Sequence, residues 1–428
     1  MIHETAMADI ARELREGSVD IEAYVNEVRS RVESVEPQLH AFVEEPGRWE
    51  RVDEAVARLR NRYEPRPYRP SLYGVPVGVK DIYHVDGLPT RANSSVPPEE
   101  LAGPEATTVT ALEDAGAFVM GKTVTTEFAY YDPGPTRNPH DLDHTPGGSS
   151  SGSAAAVAAG LCPLALGTQT YGSVARPASF CGVVGVKPSF GRVSTEGVVP
   201  LSPSADHVGF FTQDVPGAKL AASVFYPDWR PVPSVPEPTI GVPSGAYLEQ
   251  ADPDAVAEFE RQVERLAADY EVTRLTLFDD IEDVNERHHR MVAADAAMVH
   301  ETRYAEYEDE YGPELAALIE EGYSVSTRER AQARSGRESL RSGVESAMAD
   351  HDVDVLVSPS APGPAPEGLD DTGDPVMNVP WTHSGLPTVT LPAGTVDGLP
   401  LGLQCVARFQ FDEWLLEWAE SVAGTLDG

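Results

Sequence analysis

Basic residues are scarce in this sequence. Its 428 residues include 69 Asp and Glu against 32 Lys and Arg, a formal net charge of −37. Phosphates and acidic lipid headgroups would repel such a chain, which argues against nucleic acids and membrane surfaces as partners. So high a charge also destabilises a compact state unless salt screens it. We therefore interpret the composition as an adaptation to high intracellular salt, as in halophiles, and the alternative is an ordinary acidic protein.

Cysteine and long apolar runs are also scarce. Cys162, Cys181 and Cys405 cannot form a disulfide framework, and no CxxC spacing indicates a metal site, so we expect neither a metal nor another cofactor. The longest apolar runs, such as 182–186, are far shorter than the ~18 residues of a membrane span. The N-terminus lacks the basic and apolar regions of a secretory signal. These absences predict a reduced, cytoplasmic, globular protein.

Helical and strand patterns alternate along the chain. Helical patterns cover 5–16, 20–35, 106–115, 153–160, 252–269, 281–300, 326–350 and 411–425. Strand patterns cover 73–85, 116–121, 163–167, 239–243, 271–276, 353–358, 388–392 and 400–405. This alternation predicts an α/β protein with a mostly parallel or mixed sheet. The Pro-rich stretch 229–238 either separates two domains or connects strands of one sheet.

The few lysines help to locate chemistry, because arginine does not deprotonate in proteins whereas a buried lysine can act as a base. Only 4 of the 32 basic residues are Lys. Lys219 lies in a helical pattern and is expected to face solvent, while Lys122 and Lys187 are expected to make structural hydrogen bonds. Lys80 ends an apolar strand pattern, where an ammonium must be paired or neutral. Taken alone, it favours an ion pair, with Asp81 as the nearest partner.

Two clusters rich in Gly and Ser, at 147–153 and 167–173, carry the densest chemical signal. Glycine beside serine allows the close backbone approach that exposed nucleophiles and oxyanion holes need. A phosphate-binding loop is disfavoured because the GK[ST] ending is missing. A GxSxG pattern is present at 148–152, but no hydrophobic strand precedes it as a nucleophile elbow requires. A flexible linker is disfavoured by the abrupt change to AAAVAAG at 154–160.

The sequence resembles the amidase signature family of serine hydrolases over nearly its whole length. The motifs that carry this resemblance are YGVPVGVKDIYHVDGLPT at 73–90, GKTVTTEFA at 121–129, the segment 145–192, PLSPSADHVGFF at 200–211, SGLPTVTLPAG and GLPLGLQ. It implies a single domain over 1–428, with an α/β/α architecture in which helices cover both faces of a mixed sheet. The motif-bearing core is expected at about 70–215 and 353–428, and a variable cap-like region at about 230–350.

The resemblance also implies a catalytic triad. Matching motif to motif assigns Lys80 as the base, Ser149 as the bridging serine in a cis peptide, and Ser173 as the nucleophile. A buried, neutral Lys80 could take the Ser149 proton while Ser149 takes that of Ser173. Backbone N–H groups are then expected to hold the developing oxyanion; they belong to Thr170, Tyr171, Gly172 and Ser173. The expected supporting residues are Gly148, Ser150, Gln169 and Arg176.

Some positions depart from the family pattern. Gln169 stands where many members have an acidic residue, Tyr171 replaces a usual glycine, and Ala175 stands where many have arginine, with Arg176 beside it. A subset of the family shares the Gln and the shifted Arg, so activity is still expected. The Tyr171 ring is expected to narrow the pocket, to stack on substrate, or to point into the core.

The expected function is hydrolysis of a small carboxylic amide through a seryl acyl-enzyme. One alternative is the glutaminase subunit of a tRNA-dependent amidotransferase. The acidic residue expected for glutamine recognition in that subunit is not matched here, because Asp374 is offset from its position and Pro375 occupies it. A remoter alternative is an inactive scaffold that keeps the amidase fold. The expected partner is a small-molecule amide, without nucleic acid or membrane, and a homodimer is left open.

The charge interpretation predicts that salt stabilises the fold. The melting temperature should rise as KCl is increased, because screening weakens the repulsion among carboxylates. Thermal unfolding over a KCl series measures this. A protein equally stable at low salt would refute the halophilic interpretation.

Overall fold

A ten-stranded sheet runs through the computed structural model, which describes residues 5–64 and 68–426. Its strands are β1 (Pro76–Lys80), β2 (Phe118–Thr123), β3 (Leu164–Gln169), β4 (Val184–Lys187), β5 (His207–Thr212), β6 (Ile240–Ser244), β7 (Val272–Thr276), β8 (Val355–Pro359), β9 (Thr388–Val396) and β10 (Leu399–Val406). Their order across the sheet is β2-β1-β3-β5-β4-β9-β10-β8-β6-β7. Parallel pairing joins β2, β1 and β3 at one end and β8, β6 and β7 at the other, and antiparallel pairing connects these two groups.

Helices of the described residues surround this sheet. They are α1 (Met7–Glu16), α2 (Ile21–Leu39), α3 (Arg48–Arg62), α4 (Thr107–Asp114), α5 (Ser151–Ala158), α6 (Ala175–Cys181), α7 (Val215–Phe225), α8 (Pro253–Asp269), α9 (Ile281–Tyr307), α10 (Pro313–Ser324), α11 (Thr327–Asp350), α12 (Val379–Ser384) and α13 (Asp412–Leu426). Local chemistry sets several of the ends. The Asp20 carboxylate caps α2, Ser326 and Glu329 form a capping box at α11, and Gly17 ends α1 in the left-handed conformation. Among these helices, none is both long and apolar enough to cross a bilayer.

Neighbouring residues of the central strands face two separate hydrophobic cores. In β3, Leu164 and Leu166 belong to one core and Ala165 to the other, and in β5 the same division separates Phe210 from Phe211. This follows from the two-residue period of a strand, since successive side chains point to opposite faces. Both faces are therefore covered by helices, which confirms the predicted α/β/α fold with a mixed sheet.

A β-bulge lies between β1 and β2. Pro76 and Val77 pair with Phe118 and Val119, but the register then shifts so that Gly78 pairs with Gly121. Met120 is therefore the extra residue of β2. Beyond the bulge Val79 pairs with Lys122, and Lys80 pairs with Thr123.

The sheet continues across the Pro-rich stretch 229–238, because β5 before it and β6 after it belong to the same sheet. The segment 230–350 contributes β6 and β7 to that sheet as well as α8 to α11. The division of the chain into a core and a cap-like region stays a prediction.

The predicted strand at 73–85 is longer than the observed β1. The strand ends at Lys80 because the chain turns there, with the N–H groups of Ile82 and Tyr83 donating to the Lys80 carbonyl. The sequence patterns missed α3, α6, α10 and α12 and the strand β5.

Two helical glycines offer a matched test of packing. A Cβ on Gly322 in α10 would lie 2.1 Å from the Ala293 carbonyl oxygen of α9, whereas one on Gly343 in α11 meets nothing within 4 Å. Gly322→Ala should therefore force the helices apart and lower the free energy of unfolding by about 1–3 kcal/mol. Gly343→Ala should raise it by about 0.5–1 kcal/mol. Denaturant unfolding in KCl measures both changes, and equal effects of the two substitutions would contradict this account.

Candidate active site

The site lies at the carboxyl ends of β1 and β3. These strands are parallel neighbours, with Val79 opposite Leu166, so their ends meet at the same edge of the sheet. Lys80 is the last residue of β1, and Thr168 is the last but one of β3. The first turn of α5 packs closely beside them. Only glycine fits at position 152, because a Cβ there would lie 2.1 Å from the Ala41 carbonyl oxygen.

The side chain of Lys80 is fully buried among hydroxyl groups. Its Nζ lies 2.7 Å from Ser149 Oγ, 2.9 Å from Thr168 Oγ1 and 3.1 Å from Ser150 Oγ. Within the described residues, no carboxylate oxygen lies within 4.0 Å of this nitrogen, so it has no counter-ion in contact. Burial lowers the pKa of Lys80 well below its ordinary value, and the charge of Asp206 acts in the opposite direction without offsetting it.

The ion pair of Lys80 with Asp81 that the sequence alone favours is wrong. Asp81 pairs with Lys122 instead, at 2.7 Å, and both side chains are buried. Strand alternation explains the difference, since Lys80 and Asp81 point to opposite sides of the sheet. Lys187 donates to the Leu386 carbonyl at 2.5 Å. The hydrogen-bonding roles expected for Lys122 and Lys187 are therefore observed.

Ser150 has its hydroxyl proton engaged. Its Oγ donates to the Thr168 carbonyl at 3.2 Å and accepts from the Thr168 N–H at 3.2 Å. Because that proton points to the carbonyl, Ser150 is left to accept from Lys80. Ser149 makes no competing contact of this kind, since its only side-chain hydrogen bond within the described residues is with Lys80.

The Gly148–Ser149 peptide bond is cis. The guanidinium of Arg176, itself buried, donates to the Gly148 carbonyl at 2.8 Å and to Thr372 Oγ1 at 3.2 Å, and also to the Gly373 carbonyl. A Cβ on Gly148 would lie 2.7 Å from the Thr372 methyl group. The hydrogen bonds of Arg176 and the absence of a side chain at Gly148 thus let the chain just before Ser149 pack against the loop at 372–373.

The loop that carries Ser173 connects β3 to α6. Gln169 closes it, because its Oε1 accepts from the N–H groups of Val174 at 2.8 Å and Ala175 at 2.9 Å. Its Nε2 donates to Thr382 Oγ1 at 2.9 Å. Within this loop, Gly172 packs tightly against Asn378, since a Cβ at position 172 would come within 2.3 Å of Asn378 Oδ1.

Ser173 is buried, with 6% of its surface exposed. In the part of the chain that the structure describes, hydrogen bonds join Lys80 to Ser149, Ser150 and Thr168, but none joins Ser173 Oγ to Ser149. The structure therefore brings together the first two members of the predicted triad. The last contact of the relay stays a prediction.

A cavity of about 180 Å³ lies beside Thr168 and Thr170. Its walls are mainly apolar and include Ile82, Ala129, Val198, Val199, Pro200, Leu201 and Pro203. Asp206 also lines it, and its carboxylate accepts from the Thr170 hydroxyl at 2.6 Å and from the N–H groups of Leu201 and Ser202 at 3.0 Å. Burial raises the pKa of Asp206 to about 6. Asp206 lies within a motif that carries the family resemblance, but the sequence pattern did not distinguish it from its neighbours.

Tyr171 belongs to an aromatic cluster rather than to the cavity wall. Its ring meets His288 edge to face, with centroids 4.8 Å apart, and lies 6.3 Å from Tyr130 and 6.4 Å from Tyr131. Its hydroxyl lies 3.0 Å from Nδ1 of His289. The partly buried ring thus packs against other aromatic side chains, and the choice among the three orientations that the sequence left open stays a prediction.

Within residues 5–64 and 68–426, no group of three or more His, Cys, Asp or Glu side chains is arranged to hold a metal ion.

Comparison with known proteins matches this chain to one family. The family model Amidase matches residues 23–416. The A-type subunit of glutamyl-tRNA(Gln) amidotransferase from Syntrophus aciditrophicus (strain SB) is 31% identical over 488 residues, covering 98% of this chain and 97% of that protein. Putative amidase AmiD of Mycobacterium bovis is 33% identical over 447 residues, covering 96% of this chain and 91% of that protein.

Solved structures show the same architecture. One described as a crystal structure of amidase has a TM-score of 0.90 and 32% identity, and the match covers 99% of this chain and 100% of that one. Native peptide amidase from Stenotrophomonas maltophilia has a TM-score of 0.83 and 26% identity, with 99% and 97% covered. The likeness therefore extends over the whole fold.

The position of Lys80 predicts an unusual titration. In protein labelled with ¹⁵N-lysine, the Lys80 Nζ signal, assigned with Lys80→Met, should titrate well below that of Lys219, whose pKa is raised by Glu417 and Glu420. Asp206→Asn should lower the pKa of Lys80 further, because it removes the carboxylate that raises it.

Asp412→Asn is the matched control for this titration. Asp412 raises the pKa of Lys187, so its loss should shift the Lys187 signal and leave that of Lys80 in place. A Lys80 signal with the same pKa as that of Lys219 would contradict the burial argument. A Lys80 pKa that Asp206→Asn leaves unchanged would contradict the assigned effect of Asp206.

Proposed function

The chain belongs to the amidase family and is a hydrolase of amide C–N bonds, and from this premise we propose its substrate, product and mechanism. It converts a small carboxylic amide to the carboxylate and ammonia or an amine through a seryl acyl-enzyme. Ser173 is the nucleophile, and Lys80 and Ser149 form its proton relay. The observation that carries the proposal is the buried amine of Lys80, 2.7 Å from Ser149 Oγ and without a counter-ion in contact among the described residues.

The hydrogen bonds around Lys80 support a neutral amine. Such an amine has two N–H bonds and one lone pair. Ser150 accepts one N–H, because its own proton is engaged with the Thr168 carbonyl, and Thr168 Oγ1 accepts the other. The lone pair is then left for the Ser149 hydroxyl. A proton can therefore pass from Ser149 to Lys80 as Ser149 takes the proton of Ser173 and Ser173 Oγ attacks the amide carbon.

The proposed oxyanion donors lie in the loop that Gln169 closes. The N–H groups of Thr170, Tyr171, Gly172 and Ser173 are the candidates, and removal of one such donor typically costs about 2.7–4 kcal/mol of transition-state stabilisation. As the C–N bond breaks, the proton held on Lys80 returns through Ser149 to the leaving nitrogen. Water then attacks the acyl-enzyme, giving the carboxylate and restoring the Ser173 hydroxyl.

The apolar cavity supports a compact, uncharged acyl group as substrate. Its volume of about 180 Å³ suits a short branched or aryl acyl chain. An acyl chain bearing a carboxylate is disfavoured because Asp206 lines the cavity and would repel it. This distinguishes the proposed substrate from glutamine.

A second candidate function is the release of ammonia from glutamine for a partner subunit. It is favoured by the similarity to the A-type subunit of glutamyl-tRNA(Gln) amidotransferase, which covers 98% of this chain. Against it stand the offset of Asp374, Pro375 at the expected acidic position, and the cavity just described.

We predict that a fluorophosphonate labels Ser173 and that Ser173→Ala abolishes labelling. Lys80→Met and Ser149→Ala should each lower kcat by about 10²–10⁴-fold, the usual contribution of general acid–base catalysis. Lys219→Met is the control, because Lys219 makes its ion pairs with Glu417 and Glu420 at the protein surface, and its kcat should be unchanged.

The assay is ammonia release in molar KCl from a panel of aliphatic, aryl and amino-acid amides. Ammonia from glutamine that requires a co-purifying subunit would favour the second candidate. A wild type that neither labels nor cleaves any amide would support an inactive scaffold.

A further inference from the structure

Side chains outside the Ser173 loop hold three consecutive peptide groups of that loop by their carbonyl oxygens. In a trans peptide the C=O and N–H bonds point in opposite directions, so a group that holds the carbonyl also aims the N–H. The three contacts are His207 Nδ1 to the Gln169 carbonyl at 3.3 Å, His288 Nε2 to the Thr170 carbonyl at 2.8 Å, and Thr382 Oγ1 to the Tyr171 carbonyl at 2.6 Å.

His288 makes the most informative of these contacts. A carbonyl oxygen can only accept, so Nε2 of His288 carries the proton that it donates to Thr170. The neutral ring then has an acceptor at Nδ1, which lies 3.2 Å from Nδ1 of His383. His383 therefore donates through Nδ1, and its Nε2, which has no hydrogen-bond partner within the described residues, carries no proton.

Both rings are held in place and kept neutral. His288 and His383 are fully buried, and their rings meet edge to face with centroids 5.3 Å apart. Burial lowers the pKa of His288 to about 3 and that of His383 to about 2. Tyr171 also packs edge to face against His288, and Arg337 Nε donates to the His383 carbonyl at 3.0 Å. One tautomer of each ring therefore persists throughout the neutral pH range.

The other two contacts are less exclusive. His207 Nδ1 also faces the Ala205 carbonyl, at the shorter distance of 2.6 Å. The Thr382 hydroxyl also meets Gln169 Nε2 and the Asn378 carbonyl. His288 Nε2, in contrast, makes a single contact within the described residues, with the Thr170 carbonyl.

We propose that His288 is a positioning residue for the oxyanion site, with His383 holding it in the required tautomer. The Thr170 carbonyl and the Tyr171 N–H belong to one peptide group. By donating to that carbonyl, His288 aims the Tyr171 N–H toward the reacting carbonyl and polarises the peptide, which makes the N–H a stronger donor. This inference rests on the proposed function, since charge develops at that N–H only if Ser173 attacks there.

The test compares His288→Leu, which removes the donor, with His288→Gln, whose amide N–H can still reach the carbonyl. His288→Leu should lower kcat by about 10²-fold, near the lower end of the loss on removing an oxyanion donor, with KM changed by less than about threefold. His288→Gln should recover most of the lost kcat. The amide used is the one that the substrate panel identifies.

His300 is the matched control, because it is another buried histidine of α9 whose Nδ1 contacts the Tyr311 hydroxyl at 2.9 Å, away from the loop. His300→Leu should lower the melting temperature and leave kcat of the folded protein unchanged. His383→Leu should lower kcat in the wild-type background but add nothing in His288→Leu, because it acts through His288.

Three outcomes would overturn the inference: a folded His288→Leu with wild-type kcat, equal losses in His288→Leu and His288→Gln, or an equal loss in His300→Leu. If His288→Leu does not fold, His383→Leu and His288→Gln decide the question by their kcat. Failure of the proposed function is distinguishable, because the wild type would then lack Ser173 labelling and amide hydrolysis. If the wild type hydrolyses the amide and His288→Leu has the same kcat, the role of His288 is refuted and the proposed function stands.

Discussion

The burial of the Lys80 amine, with no carboxylate of the described residues in contact, is the constraint on which the site depends. Removing an isolated ammonium from water is so unfavourable that a buried amine tends to lose its proton instead. Three hydroxyl groups replace the missing counter-ion, and each comes from a different feature of the chain: the residue after the cis peptide, the start of α5 and the end of β3. Hydroxyls suit a neutral amine because they both donate and accept.

The surrounding polar groups act mainly through the backbone. Arg176 holds the carbonyl before Ser149, Gln169 holds the two N–H groups after Ser173, and His288 holds the carbonyl of Thr170. In the proposed mechanism, side chains that secure peptide groups leave the chemistry itself to a few hydroxyls and one amine. This arrangement is consistent with electrostatic preorganisation, in which dipoles are fixed before the reaction begins.

Sequence reasoning was most successful where the signal was local or carried by family motifs. The α/β/α fold was anticipated, and so was the meeting of Lys80 with Ser149 across 69 residues. The motifs also indicated Gln169 and Arg176, although their partners Thr382 and Gly373 lie about two hundred residues away in sequence. Helix α3 was missed despite buried residues at helical spacing, so its signal was present and overlooked.

Other parts of the site could not be anticipated from pattern alone. His288 and His289 are adjacent in one helical pattern and both contact the loop 118 residues earlier, but periodicity does not show that His288 reaches the Thr170 carbonyl and His289 the Tyr171 hydroxyl. Thr168 and Asp206 depend on which strands become neighbours, which is a tertiary property. The ion pair of Asp81 with Lys122 likewise depends on the pairing register of β1 and β2.

The bulge at Met120 has a consequence for charge. If the register that pairs Val77 with Val119 continued without the bulge, Lys80 would lie directly opposite Lys122. Their two amino groups would then be neighbours on the same side of the sheet. The extra residue offsets the two strands by one position, so that Lys122 comes to lie on the side of Asp81 and Lys80 lies opposite Thr123. A single inserted residue at the edge of the sheet thus sorts the two amines, placing one in an ion pair with Asp81 and leaving the other among hydroxyl groups.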